Sequence, residues 1–257
     1  MARLVGFGSL LPTELRDLAV LRHLPDNRAG VVGGPDLGPW LKRKKDARLL
    51  PRAAQLALPA AGVAMREFKG DPEDLAIFVA VGREPPDEGE AEVSLAAMER
   101  HGKLALDLLG GEGKALYPPL LPLRTLPNMV LAHVAIQHGI RGENAAFAGG
   151  EEAGEHALRA ALNTLAEGRA AHVLVGASYS AVDLASARDR LRLGLTGPPG
   201  EGAVFCLFAP GESSSHVEMD ALSRAGVTLR ERVGDLGPVH GLLRGWMTHR
   251  ATLVPHG

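Results

Sequence analysis

The chain has 257 residues, with 28 Lys and Arg against 30 Asp and Glu and a formal net charge of −2. This length allows one large domain or two small ones, and the near-neutral charge argues against generic binding of nucleic-acid backbones. Hydrophobic residues make up 46% of the chain and charged residues 23%, the balance of a globular protein. Only 4% of residues are aromatic, while glycine occurs 32 times, so we expect a Leu-, Val- and Ala-rich core in a layered α/β protein.

The cysteine content and the N-terminal sequence bear on the compartment. Cys206 is the one cysteine, which excludes an internal disulfide and a zinc site built from several cysteines. The apolar run at the N-terminus is soon interrupted by Pro12, Glu14 and Arg16, so it makes a poor signal peptide. Nowhere do about 18 uncharged apolar residues follow one another. We therefore expect a cytoplasmic protein that does not bind membranes.

Apolar patterns predict strands and helices in the first part of the chain. Residues 3–10 form a short apolar run closed by Pro12, which predicts a strand. Apolar residues recur at three- and four-residue steps over residues 46–69, which predicts a helix that Pro59 kinks or splits. The continuous apolar run 75–81 predicts a strand buried on both faces.

The remainder continues the same alternation. Helices are predicted at 94–109, 126–140 and 151–167, and strands at 143–149, 172–177 and 203–209. Alternating strands and helices indicate a layered α/β fold with helices on both faces of the sheet. Residues 211–215 are typical of a linker, and the tail that follows them has no clear pattern.

Several familiar chemical motifs are absent. No Gly-x-x-x-x-Gly-Lys loop occurs, and Gly6-Phe7-Gly8 lacks the third glycine of a dinucleotide-binding turn. His133 and His138 are five residues apart, which does not align them on a helix as a metal site requires. Ser178 is better explained by a turn than by a nucleophile elbow, and Cys206, in an apolar run, by a small buried hydrophobe than by a catalytic thiol. We expect neither a cofactor nor a metal.

Three motifs follow one another between residues 126 and 157. They are Leu126-Pro127-Asn128, Gly142-Glu143-Asn144 and Ala153-Gly154-Glu155-His156-Ala157. Their order and spacing resemble the β-ketoacyl synthase family, in which a Pro-Asn helix start precedes a Gly-Pro-Asn-like strand, a sharp turn with the nucleophilic cysteine, and a helix with a Ser-Gly-x-His-Ala-like pattern. Glu143 stands where that family has Pro, and Ala153 where it has Ser. Weaker similarities are Val5-Gly6-Phe7-Gly8, Arg52-Ala53-Ala54-Gln55-Leu56-Ala57 and Gly200-Glu201-Gly202-Ala203.

The resemblance implies a fold and a domain division. It implies an α/β, thiolase-like layered fold, of which this chain has the N-terminal half, with helices on both faces of a mixed sheet. Residues 1–210 would form the synthase-like N-terminal domain, and residues 211–257 a tail of unknown role.

Two departures from the family argue against a condensing activity. The residue that replaces the family's cysteine is Glu151, and a carboxylate cannot form the thioester intermediate of a thiolate. The family's catalytic histidines and lysine lie in a second half of the fold, whereas 46 residues follow Gly211 here. We therefore assign no catalytic residue and leave open whether Glu151 is a solvated acid at a helix start or acts in a partner's site.

Loss of the nucleophile with retention of the fold resembles the chain-length factors, the non-catalytic partners of ketosynthases in fatty acid or polyketide-type biosynthesis. The resemblance implies that strand 144–148 pairs across a dimer, with Asn144, Ala146 and Phe147 at the interface. It also implies that the region from Leu120 to His133 closes an acyl tunnel, lined by Leu120, Leu123, Met129 and His133. The expected partners are a ketosynthase catalytic subunit and, as a further candidate, an acyl carrier protein. Two alternatives remain, namely a malonyl-carrier decarboxylase and a free-standing module that binds acyl carriers.

Overall fold

The computed structural model describes residues 2–18, 22, 27–83, 85–86, 88–211 and 217–253. The strands are β1 (Ala2–Leu10), β2 (Leu15–Asp17), β3 (Arg28–Gly30), β4 (Ala76–Val81), β5 (Glu99–Arg100), β6 (Lys103–Leu104), β7 (Asn144–Ala148), β8 (Val173–Ser180) and β9 (Glu201–Pro210). The helices are α1 (Arg52–Ala64), α2 (Glu88–Ala96), α3 (Pro122–Thr125), α4 (Asn128–His138), α5 (Glu151–Ala166), α6 (Leu184–Arg192), α7 (Val217–Arg224), α8 (Gly226–Val233) and α9 (Pro238–Leu253).

Five strands form the central sheet in the order β1-β9-β8-β4-β7. β4 pairs in parallel with β7 and β8, whereas β9 pairs antiparallel with β1 and β8. The sheet is therefore mixed. β2 pairs with β3, and β5 pairs with β6, in two small separate sheets.

The sheet separates two apolar cores. Because side chains alternate along a strand, Phe78 and Ala80 of β4 belong to one core, and Ile77 and Val79 to the other. Helices α1 and α4 cover the face with Ile77, and helices α5 and α9 cover the face with Phe78. This arrangement explains why β4 is apolar throughout and confirms the prediction of helices on both faces of a mixed sheet.

The region after Gly211 contributes to the apolar core that contains Phe78. Trp246 of α9 is fully buried, lies 5.6 Å from the Phe208 ring between centroids, and donates a hydrogen bond through Nε1 to Asp220 at 2.8 Å. Met219 and Leu236 are also fully buried. The tail thus packs on the sheet through α7 and α9. The domain boundary at residue 210 stays a prediction, and residues 212–215 of the predicted linker lie outside the described residues.

Helices α5 and α9 approach each other closely through two glycines. A Cβ on Gly154 would lie 2.0 Å from the Pro238 carbonyl oxygen, and one on Gly241 would lie 1.7 Å from the Glu151 carbonyl oxygen. Only glycine permits this backbone contact. It fixes the start of α9 beside the first turn of α5, where Glu151 lies.

Three local predictions were wrong. The helix expected at 94–109 ends at Ala96, because His101 and Gly102 take positive φ angles of 56° and 73° in the turn between β5 and β6. Helix α1 spans Arg52–Ala64 rather than residues 46–69 and includes Pro59 without a split, whereas a kink at Pro59 stays a prediction. The turn expected at Ser178 is absent, since β8 continues to Ser180 and the Ser178 hydroxyl donates a hydrogen bond to the Ala53 carbonyl at 2.7 Å.

Candidate functional site

The position assigned to the nucleophile, Glu151, is the first residue of α5. β7 ends at Ala148, and Gly149 and Gly150 lead into the helix. The next acid, Glu152, accepts a hydrogen bond from the Gly150 N–H at 2.8 Å, and such backbone bonds lower the pKa of its carboxyl. Glu152 therefore caps the helix start, which leaves the Glu151 side chain to other elements.

Two arginines from the tail hold Glu151. Arg244 of α9 donates from Nη1 to Glu151 Oε2 at 2.5 Å and from Nε to Glu155 Oε1 at 2.5 Å. Arg230 of α8 forms a further ion pair with Glu151 Oε1. We call Glu151, Glu155, Arg230 and Arg244 the tail ion cluster. Because two guanidinium groups bind its carboxylate, Glu151 is an ion-pair partner rather than a free nucleophile.

A cleft of about 600 Å³ opens beside the start of α5. Its lining residues are Gly82, Arg83, Pro127, Ala148, Gly149, Gly150, Glu151, Tyr179, Arg190, Leu195, Asp235, Gly237 and Pro238. Arg190 is 3% exposed and its Nη1 donates to Asp235 Oδ2 at 2.9 Å. Burial raises the pKa of Tyr179 to about 12, so its phenol stays protonated at neutral pH. These lining groups can bind and orient a ligand, but none of them is a thiol.

Cys206 lies far from this chemistry, inside β9. Its side chain is fully buried, its Sγ lies 3.3 Å from Met219 Sδ, and burial strongly raises the pKa of the thiol. A thiol that stays protonated is inert. The prediction that Cys206 is a small buried hydrophobe is confirmed.

The four predicted tunnel residues occupy different environments. His133 on α4 is buried, its Nε2 lies 3.2 Å from the Leu123 carbonyl oxygen, and burial lowers its pKa. The structure therefore brings His133 and Leu123 together. Met129 is half-buried in the first turn of α4, and Leu120 is 53% exposed. The tunnel itself stays a prediction.

The three predicted interface residues lie on β7, which forms one edge of the central sheet. Asn144 is exposed, and Ala146 and Phe147 are half-buried. Their backbone pairs with β4, with Ile77 opposite Asn144 and Ala80 opposite Phe147, and no other described strand pairs with β7.

Sequence reasoning missed a buried ion pair between Arg52 and Glu201. Glu201 is fully buried and accepts hydrogen bonds from Arg52 Nη2 at 2.6 Å, Arg52 Nε at 2.9 Å, the Val32 N–H at 2.9 Å and the Ser180 hydroxyl at 3.0 Å. Both charged residues lie in segments quoted for their similarity to the synthase family. Glu201 lies just before the apolar run 203–209. This position could have indicated a buried ion pair, because a buried charge requires a partner.

The tail arginines were also missed. Arg230 and Arg244 lie in a segment without a clear pattern, at 79 and 93 residues from Glu151 respectively, and no local spacing relates them to it.

The described residues contain neither a metal-binding cluster nor a membrane-spanning helix. No group of three or more His, Cys, Asp or Glu side chains there is arranged to hold a metal ion. No helix in the same part of the chain is long and apolar enough to cross a membrane.

Comparison with known proteins identifies the family. The model of the β-ketoacyl synthase N-terminal domain matches residues 41–212, well over half of the chain. A search of curated proteins found no match.

Solved structures similar to this chain include ketosynthases and a ketosynthase/chain length factor. The chain resembles the ishigamide ketosynthase/chain length factor with 17% identity and a TM-score of 0.56, over 99% of this chain and 82% of that one. It resembles a ketosynthase complex with a type II polyketide acyl-carrier protein, AntDE:AntF, with 16% identity and a TM-score of 0.59, over 81% and 62% of the two chains. It resembles a β-ketoacyl synthase from Burkholderia phymatum with 16% identity and a TM-score of 0.55, over 82% of this chain and 59% of that one.

The chain thus spans less than two thirds of two of these ketosynthase chains but most of the ishigamide protein. The predicted thiolase-like fold, in its N-terminal half, is confirmed. This protein belongs to the β-ketoacyl synthase family, whose N-terminal domain its residues 41–212 match.

Proposed function

We propose that this protein is a non-catalytic, chain-length-factor-like subunit that binds a ketosynthase in fatty acid or polyketide-type biosynthesis. The observation that carries the proposal is the state of Glu151. In this proposal Glu151 takes the position of the family's nucleophile, and its carboxylate forms ion pairs with Arg230 and Arg244. A carboxylate held in ion pairs cannot form a thioester intermediate and is not a free general base. Retention of the fold is therefore best explained by binding to a ketosynthase.

The free edge of β7 supports a partner interface. An edge strand carries backbone N–H and C=O groups that can pair with another chain, and β7 is short, which limits unwanted pairing. In the proposed complex, Asn144, Ala146 and Phe147 contact the ketosynthase at this edge.

Exposed apolar side chains between α2 and α4 support the same role. Seven large apolar residues there are 45–63% exposed, namely Val93, Leu95, Leu104, Leu106, Leu116, Leu120 and Leu126. Exposed apolar side chains grouped in one part of the chain are candidates for a protein interface. Leu120, assigned to the tunnel with Leu123, Met129 and His133, would then be covered by the ketosynthase rather than by this chain alone.

An acyl carrier protein is the second partner that we propose. The complex of a ketosynthase with an acyl-carrier protein among the similar structures supports it. A cytoplasmic location is consistent with a single buried, reduced cysteine.

Co-expression with a cognate ketosynthase tests the proposal. We expect light scattering after size exclusion to give the mass of a heterodimer or its multiple. Asn144→Arg and Phe147→Asp should each weaken association more than about tenfold, as central interface changes do. Leu193→Asp is the matched control, because Leu193 is 72% exposed just after α6 and is not one of the proposed interface residues. Separate elution of the two proteins at micromolar concentration would contradict the proposal.

The same preparation separates the alternatives. Carbon dioxide release from a malonyl carrier by the isolated protein would favour a decarboxylase. Tight carrier binding without any ketosynthase would favour a free-standing carrier-binding module.

A further inference from the structure

A second cavity, of about 300 Å³, lies among the tail helices α7, α8 and α9 and the start of α5. We call it the tail cavity, and its lining residues are Glu151, Leu222, Ser223, Gly226, Leu229, Arg230, His240, Leu243, Arg244 and Met247. Its volume is at the lower end of the range for small-molecule sites. No part of the proposed ketosynthase interface on β7 lines it, so its function is a separate question.

The walls of the tail cavity are mostly apolar. Leu229 and Leu243 are buried, and Leu222 and Met247 complete an aliphatic lining. A Cβ on Gly226 would meet no heavy atom within 4 Å, so the backbone of α8 faces open space here. Such an apolar lining suits the apolar part of a ligand.

The polar groups of the tail cavity are few. The Ser223 hydroxyl is buried and has no hydrogen-bond partner among the described residues. An unsatisfied buried hydroxyl costs free energy that a bound ligand could recover. His240 is buried and its Nε2 lies 3.3 Å from the Gly234 carbonyl oxygen. Burial lowers the pKa of His240, so it is a neutral part of the wall at pH 7.

The mouth of the tail cavity already binds a carboxylate. Arg230 and Arg244 are 50% and 57% exposed in their side chains, and both hold the Glu151 carboxylate. The contacts of the tail ion cluster use Nη2 of Arg230 and Nε and Nη1 of Arg244. Because each guanidinium has five N–H donors, this pair can also bind a carboxylate that arrives from solution.

We propose that the tail cavity binds a monocarboxylic acid with a medium-length apolar chain, whose carboxylate competes with Glu151 for Arg230 and Arg244. The chain lies against Leu229 and Leu243, and the head group lies at the mouth. A neutral amphipathic molecule of the same length gains no ion pair there and binds more weakly.

Calorimetric titration with decanoate tests the proposal on the full chain. Decanol and acetate, which lack the charge and the apolar chain respectively, serve as matched probes. We expect decanoate to bind at least about tenfold more tightly than either, since a charged hydrogen bond and an apolar chain each contribute this much.

Three variants define the site. Arg244→Gln should weaken decanoate binding about tenfold, whereas Arg232→Gln, an exposed arginine of α8 outside the cavity lining, should not change it. Gly226→Leu places a larger side chain at the lining of the tail cavity, where an added Cβ meets no heavy atom within 4 Å, and should abolish decanoate binding. Glu151→Gln should instead tighten binding, by roughly tenfold, because it removes the competing carboxylate. A purely structural role for Glu151 predicts no such gain.

Several outcomes would overturn the proposal. They are no decanoate binding at millimolar concentration, decanol binding as tight as that of decanoate, or binding that neither Gly226→Leu nor Arg244→Gln reduces. Circular dichroism of each variant excludes unfolding as the cause of a loss, and the gain expected for Glu151→Gln does not depend on that control.

Discussion

Two arginine–glutamate clusters connect distant parts of this chain, and they differ in exposure. Glu201 is fully buried and Arg52 is 30% exposed in its side chain, with every glutamate oxygen hydrogen-bonded. In the tail ion cluster the Glu151 side chain is 25% exposed, and both of its arginines are at least half exposed. The first cluster joins α1 to β9, and the second joins α5 to the tail.

This difference in exposure indicates which cluster stabilises the fold and which can exchange its partner for a ligand. A buried carboxylate cannot regain water, so loss of its partner leaves an uncompensated charge in the core. An exposed ion pair exchanges with water and dissolved ions at little cost. The Arg52–Glu201 pair therefore belongs to the architecture, whereas the tail ion cluster can release Glu151 and accept another partner.

Arg52→Met should have the largest effect. It removes two guanidinium donors from the buried Glu201 carboxylate, and we expect the free energy of unfolding to fall by about 3 to 5 kcal/mol. Urea denaturation measures this change. Arg66→Met, at an exposed position just after α1, is the control, and equal losses for the two variants would show that the buried pair has no special role.

Gly241→Ala should have an intermediate effect by forcing α9 away from α5. The added Cβ would lie 1.7 Å from the Glu151 carbonyl oxygen, and such overpacking costs about 1 to 3 kcal/mol. Gly226→Ala, whose added Cβ meets no atom within 4 Å, should leave thermal unfolding nearly unchanged. The close contact of α5 and α9 would be doubtful if both variants unfolded at the same temperature.

Arg244→Gln should have the smallest effect on stability. Exposed ion pairs contribute up to about 1 kcal/mol, so we expect a loss below this value that shrinks further in about 1 M salt. Arg232→Gln provides the baseline in the same urea titrations. A loss comparable with that of Arg52→Met would remove the distinction between the two clusters.

The central sheet was the most predictable part of the fold. β4 and residues 203–209 of β9 are apolar without interruption because both of their faces are covered. The regular apolar spacing of α5 follows from packing on one face. Residues 94–109 misled the prediction, since apolar residues there suggest helical spacing while His101 and Gly102 form a tight turn. Short, exposed segments carry little periodic signal, because burial is what imposes the period.

The candidate site was predictable only in part. The order of motifs predicts that Glu151 stands in place of the nucleophile, which stays a prediction, and the structure places this residue at the start of α5. Its partners Arg230 and Arg244 lie in the tail, in helices whose packing against α5 no local pattern predicts. Long-range ion pairs leave no spacing rule in a sequence, since the fold alone determines which side chains meet.

The sequence by itself determined the family resemblance and the alternation of strands and helices, because these follow from residue identity and local periodicity. Only the tertiary structure decided that the tail packs on the sheet, that Arg52 meets Glu201 in the core, and that Glu151 lies between a cleft and the tail cavity. The physical reason is that contacts between residues far apart in the chain depend on packing and chain direction, which local composition does not record.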